Sequence, residues 1–345
     1  MLLLIEQDFL SASGGQGQVM KNHISILKWT EDCLTSKGYS LQHSPEIIQE
    51  TPWSNVFRFS TLKGDVYLKQ PAPLLAQEAK IIQLLAHQFN ANVPAVIAIN
   101  DDLHCFLMND AGCSLRKYLQ AEYQPDLLCQ SIKSFASFQR STEDNIEPFF
   151  ALEVPDWRLN KLPQLYEQII NQADFLKADG MTDEELQTLH DLSPQISEEL
   201  KLLSEYNIPH TIVQPDFNTN NILICPDTNQ FTFIDLGELA ISHPFFSLHN
   251  FLYTATIHHG VKEKDAIWYQ LQDACIENWL ELGSKRQILN AFTLARKLWP
   301  IYSACVNYHF MYCVDLQALN TWYANKPNRL AGAFREYITD LQRNA

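Results

Sequence analysis

Short apolar runs alternate with polar positions over residues 39–109, and longer helical periods take over from Leu115. This change of period predicts an α+β chain with sheet early and helices late. Ahead of the strands, the pattern predicts a helix from near Ile24 to just before Gly38. Strands are expected at residues 66–69, 93–99 and 103–108, with Asn100 and Asp101 turning between the last two. A helix starting at Pro73 would carry Leu74, Leu75, Glu78, Ile81, Ile82 and Leu85 on one face. Beyond Leu115, breaks are expected near Pro155, Pro163, Gly180, Pro194 and Gly283, and a hairpin interrupts the helical lobe. Its strands are residues 222–225 and 231–234, and Pro226, Asp227 and Asn229 supply the turn. Residues 11–19, rich in Ser, Gly and Gln, carry no fold signal, so residues 1–22 are expected to be a flexible leader.

Three polar residues sit at the edges of that hairpin: Asp216, Asn221 and Asp235. In an antiparallel hairpin, the residue entering the first strand lies opposite the residue leaving the second. Asn221 and Asp235 should therefore meet at one end, an amide and a carboxylate suited to a hard cation such as Mg2+. Asp216 is the candidate base. Upstream, Glu78 is a carboxylate inside an apolar stripe, and a lone buried charge is costly enough to demand a cationic partner. Lys69, at the end of the strand before it, is the candidate. A strand Lys paired to a Glu on the next helix is how protein kinases hold nucleotide phosphates.

Both halves together resemble the aminoglycoside phosphotransferase and choline kinase family over roughly residues 25–340. The family's His-Gly-Asp-x4-Asn corresponds to Gln214-Pro215-Asp216 through Asn221, and its metal strand to Ile234-Asp235-Leu236-Gly237. The stretch Ser242-His243-Pro244 stands where the family has a Gly-Asp-Pro-like turn, and Val154-Pro-Asp-Trp-Arg158 is similar to a segment of some bacterial members. The resemblance implies a two-lobed protein-kinase-like fold: a small antiparallel-sheet lobe with one key helix (residues 23–110) and a larger, mainly helical lobe (residues 111–345) holding the catalytic loop and acceptor site. It implies ATP and Mg2+ as cofactors, Asp216 as catalytic base, and Asn221 and Asp235 on the metal. Lys69 and Glu78 would serve the phosphates, Trp53, Ser54 and Asn55 would form the loop over them, and Met108 would lie at the hinge that reads adenine. The implied activity is transfer of a phosphoryl group to a hydroxyl of a small molecule, with a cationic alcohol of the aminoglycoside or choline kind as candidate. Because Gln214 and Pro215 replace His and Gly, a nucleotide-binding pseudokinase acting through a protein partner is the alternative.

Composition narrows the partners. The formal charge of −15 and the lack of a clustered basic stretch argue against a nucleic-acid partner and are compatible with a cationic acceptor. Residues 238–315 offer Glu238, Asp265, Asp273, Glu277, Glu281 and Asp315, with Trp268, Trp279, Trp299 and Tyr302, as acceptor-lining candidates. No apolar run reaches the roughly 18 residues of a membrane span, and the N-terminal Met-Leu-Leu-Leu-Ile is too short for a signal core. The eight cysteines show no metal-ligand spacing, which points to core positions in a reducing compartment and to the cytoplasm.

Overall fold

The structure, a computed structural model, describes residues 16–323 and 328–344. After α1 (Gln16–Ser36) come β1 (Glu46–Glu50), β2 (Ser54–Thr61), β3 (Gly64–Pro71), a 3-10 turn at Pro73–Leu75, α2 (Glu78–Gln88), β4 (Val96–Asn100) and β5 (Cys105–Asn109). A short β6 (Cys113–Ser114) leads into α3 (Leu115–Ala121), α4 (Pro125–Ser141), α5 (Glu147–Phe150), α6 (Leu162–Ile170), α7 (Ala173–Ala178) and α8 (Asp183–Ser204). Four strands follow, β7 (Thr211–Val213), β8 (Ile222–Cys225), β9 (Gln230–Phe233) and β10 (Ala240–Ser242). The chain closes with α9 (Phe245–His258), α10 (Ala266–Glu277), α11 (Lys285–Cys313), α12 (Leu316–Trp322) and α13 (Arg329–Asn344).

The N-terminal region is an antiparallel five-stranded sheet in the order β1-β2-β3-β5-β4. Because side chains alternate across a strand, its two faces serve different neighbours. Phe57, Phe59, Val66, Leu68 and Leu107 pack with Ile26 and Leu34 of α1 in a small core of their own. Lys69, one residue after Leu68, must point the other way, and its side chain meets α2. Phe106 and the α2 residues Ile81, Ile82 and Leu85 join the large core that continues through the helical region. The fold is thus a kinase-like pair of lobes, with the sheet-bearing lobe resting on a helical one.

Two elements depart from expectation. The helix expected from Pro73 is split: a single 3-10 turn ends at Leu75, and α2 begins at Glu78. The split takes Leu74 out of the apolar stripe and leaves it 62% exposed. It also puts Glu78 in the first turn of α2, where the helix dipole favours a carboxylate. At the other end, α1 starts at Gln16 rather than near Ile24, overlapping the expected leader; residues 16–23 contain only one glycine and nothing that forbids a helix. Residues 1–15 of that leader lie outside the described residues.

The junction between the lobes depends on one glycine. Gly112 has φ +114°, and a Cβ there would lie 2.4 Å from the carbonyl oxygen of Ile224. The linker therefore runs hard against β8, the strand that opens the β8–β9 hairpin. All eight cysteines are free thiols. Among the described residues no helix is long and apolar enough to cross a membrane.

Candidate active site

The hairpin forms as its pattern requires. β8 pairs with β9 in the register Ile222↔Phe233, and the N–H of Ile234 donates to the carbonyl oxygen of Asn221 at 3.1 Å. Asn221 and Asp235 therefore lie at one end, one residue apart across the ladder.

The loop before β8 is anchored by burial. Phe217, fully buried, stacks on Phe135 at 3.8 Å and contacts Phe233 and Phe251. Burying such a ring is worth about 2–3 kcal/mol, enough to pin the flanking Asp216. Side-chain amides complete the loop. Asn221 Nδ2 donates to both the carbonyl oxygen and Oδ2 of Asp216 at 2.9 Å, and Asn218 Nδ2 donates to the same carbonyl at 2.8 Å. Arg116 of α3 holds Asn218 in turn, its Nη2 donating to Oδ1 at 2.8 Å. With its Nδ2 committed to Asp216, Asn221 has Oδ1 left for a cation. Neither Asn218 nor Arg116 was singled out by the sequence, since their value depends on contacts a hundred residues apart.

Lys69 joins the lobes. Its Nζ donates to Glu78 Oε1 at 2.8 Å and to Asp235 Oδ1 at 2.6 Å. Burial alone would lower the Lys69 pKa, but the Asp235 and Glu78 carboxylates outweigh it and hold the ammonium above its ordinary value. Glu78 is 2% exposed, and its burial pushes the carboxyl upward against the pull of Lys69. The same Oε1 accepts the N–H of Leu236 at 3.1 Å, so Glu78 grips the segment after β9 as well as the lysine. Gly237 permits this approach: a Cβ there would sit 3.3 Å from Glu78 Oε2. Asp235 adopts φ +60°, and its side chain stays 44% exposed.

Other expected residues fall as follows. Ser54 closes a tight turn with Thr51, its N–H donating to Thr51 Oγ1 and its carbonyl accepting from Thr51 N–H. The Asn55 amide donates to Gln70 Oε1 across β2 and β3. Met108, half-buried, lies opposite Tyr67 at the end of β5 before the interlobe linker. Among the acceptor candidates, Glu238 has its carboxyl pushed well above the usual range by burial, and the charges of Asp235 and Asp216 add to that. Asp273, Glu277 and Glu281 instead pair with Lys285, Lys133 and Arg140, and Asp315 caps α12. Trp268, Trp279 and Tyr302 are core residues.

An aromatic wall joins the two lobes. Trp53, in the turn between β1 and β2, reaches the helical lobe, edge-on to Phe310 and Trp322 at 5.6 and 5.7 Å and stacked on Tyr323 at 6.2 Å. The Tyr323 hydroxyl is raised to about 12 chiefly by burial, and the charges of Glu238 and Asp216 push it the same way.

As for a metal, the available donors are oxygens, Asn221 Oδ1 and the Asp235 carboxylate, as a hard cation prefers. Among the described residues no group of three His, Cys, Asp or Glu forms a full ligand set. A partial set fits Mg2+, which keeps waters and takes phosphate oxygens as further ligands.

Comparison with known proteins bears on the family and the fold. The sequence model of the phosphotransferase enzyme family matches residues 49–283. Similar solved structures include a Plasmodium vivax ethanolamine kinase, 12% identical with a TM-score of 0.58 over 85% of this chain and 84% of that one. A macrolide 2'-phosphotransferase type I is 11% identical with a TM-score of 0.55, over 90% and 96% of the two chains. The streptomycin-ATP complex of APH(2")-IIa gives 13% identity and a TM-score of 0.53, over 92% and 99%. These likenesses establish the fold. No curated protein matches in sequence.

Proposed function

Because the chain belongs to the phosphotransferase enzyme family, we propose that it transfers the terminal phosphoryl group of ATP, with Mg2+, to a hydroxyl of a small molecule in the cytoplasm. The observation that carries this reading is the Lys69 bridge: one buried ammonium joins Glu78 of the sheet lobe to Asp235 of the catalytic hairpin. The third carboxylate, Asp235, stays 44% exposed, and a lysine paired to a helix glutamate beside a metal-binding aspartate is the arrangement phosphoryl transfer uses.

In this reading Lys69 contacts nucleotide phosphates, with Glu78 fixing its direction. Asn221 and Asp235 hold Mg2+, which neutralises charge developing on the phosphate oxygens. Asp216 accepts the proton of the acceptor hydroxyl as the oxygen attacks, its carboxylate oriented by the Asn221 amide. Ser54 and Asn55 lie in the segment over the phosphates, and Met108 is placed where the adenine edge would meet the interlobe linker near residue 110. The acceptor enters between Glu238 and the aromatic wall of Trp53, Trp322 and Tyr323. Arg329 already lies over the Tyr323 ring at 3.9 Å, so an amine on the acceptor would act chiefly on Glu238, where its positive charge would offset the burial that pushes that carboxyl upward. The ethanolamine and aminoglycoside phosphotransferases among the similar structures support such an acceptor.

The test is Asp216→Asn. Turnover of ATP with an amine-bearing alcohol should fall by about 10²–10⁴-fold while Mg-ATP affinity stays close to wild type. Turnover at the wild-type rate would remove Asp216 from the role of base.

A further inference from the structure

Gln214 stands where the family has a histidine, and its side chain is 1% exposed. Its Nε2 donates to two successive carbonyls of the metal strand, Ile234 at 2.8 Å and Asp235 at 3.0 Å. Successive carbonyls of a strand point to opposite sides; here both reach one nitrogen because Asp235 leaves β9 with φ +60°. A non-glycine residue in that region costs on the order of 1–3 kcal/mol and persists only where its surroundings hold it. The surroundings hold this one from both lobes. Across the peptide between Asp235 and Leu236, the oxygen accepts from Gln214 and the N–H donates to Glu78.

Gln214 is itself fixed at the backbone. Ser247 Oγ of α9 accepts from its N–H at 2.8 Å and donates to its carbonyl at 2.9 Å. The amide orientation follows from its neighbours, since the reverse assignment would set Oε1 against two carbonyl oxygens. The chemistry of the replacement is specific. A primary amide nitrogen carries two hydrogens and serves both carbonyls, whereas one nitrogen of a neutral imidazole carries a single hydrogen.

We propose that Gln214 is a positioning residue for the metal-binding carboxylate, its two-donor amide locking the left-handed Asp235 so that the side chain is presented to the cation. Gln214 is then neither a lesion nor a mark of lost activity; it is a substitute matched to this backbone. Restoring the family's histidine would weaken the site, because one of the two carbonyls would lose its donor. The inference rests on the phosphotransferase reading of the cleft.

The test is a Mn2+ titration in the presence of a non-hydrolysable ATP analogue, read by thermal shift and by the Mn2+ electron paramagnetic resonance signal, with unfolding of the ligand-free proteins measured in parallel. Gln214→Met keeps the volume and removes both donors; Gln214→His keeps one. The metal midpoint should rise about tenfold or more in Gln214→Met, and by a smaller factor in Gln214→His, as expected for losing two bonds or one. Metal-free analogue affinity should not change in either variant. Wild-type midpoints in both variants would overturn the assignment while leaving the phosphotransferase reading intact. A wild type that shows no metal-dependent stabilisation would overturn that reading and this inference with it. Should Gln214→Met fail to fold, Gln214→His decides: a midpoint equal to or below wild type contradicts the two-donor account.

Discussion

At the scale of single residues, the site is a set of shared partners. Glu78 Oε1 serves Lys69 and Leu236, Lys69 serves Glu78 and Asp235, and Asn221 Nδ2 serves two oxygens of Asp216. Loss of one member should spread. Glu78→Ala is expected to raise the nucleotide KM about tenfold or more, because Lys69 would be left to Asp235 alone and the Leu236 N–H would lose its acceptor. Initial-rate kinetics over a nucleotide series checks this, and an unchanged KM would mean that the pair does not direct the lysine. That Lys69 meets Glu78, and that Asn221 and Asp235 share one end of the hairpin, was legible in the sequence, from a carboxylate inside an apolar stripe and from polar residues at the edges of strand-like runs. The work of Gln214 was not. Its two acceptors become a pair only once Asp235 is known to adopt positive φ, which no local pattern records.

At the scale of elements, the β8–β9 hairpin was readable because strand period, turn residues and polar edges all lie within twenty-odd positions. The aromatic wall was hidden for the opposite reason. Trp53 meets Phe310, Trp322 and Tyr323 from more than 250 positions away, and a Pro-Trp-Ser turn reads locally as a turn alone. The split of the Pro73 helix was equally invisible, because a 3-10 turn followed by a helix preserves nearly the same apolar spacing. The interlobe linker gives the sharpest element-level prediction. Gly112→Ala should destabilise the protein by at least about 1–3 kcal/mol, since the new methyl meets the Ile224 carbonyl and the backbone keeps a φ that only glycine adopts freely. Urea unfolding measures it; an unchanged midpoint would show that the linker can leave β8 without cost.

At the scale of the whole molecule, the helical core holds ionisable groups that respond to acid. His243 and His249 are buried among aromatic rings, and burial lowers each to about 3 from an ordinary 6.5. The unfolded chain therefore binds protons that the folded chain refuses between pH 6.5 and about 3. Stability should be unaffected by these groups above pH 6.5 and fall as pH drops below it, by about 1.4 kcal/mol per pH unit for each histidine. His249→Phe should flatten the slope of unfolding free energy between pH 6.5 and 4, and parallel slopes would show that the imidazole is protonated in place.

Every proposed step requires that the cleft between the lobes bind nucleotide through a metal on Asp235. Thermal unfolding with and without Mg-ATP, for the wild type and for Asp235→Ala, tests it directly, because a ligand that binds only the folded chain raises the melting temperature. Stabilisation of the wild type that disappears in Asp235→Ala is the expected result. A wild type indifferent to Mg-ATP, or a variant stabilised as much as the wild type, would contradict it.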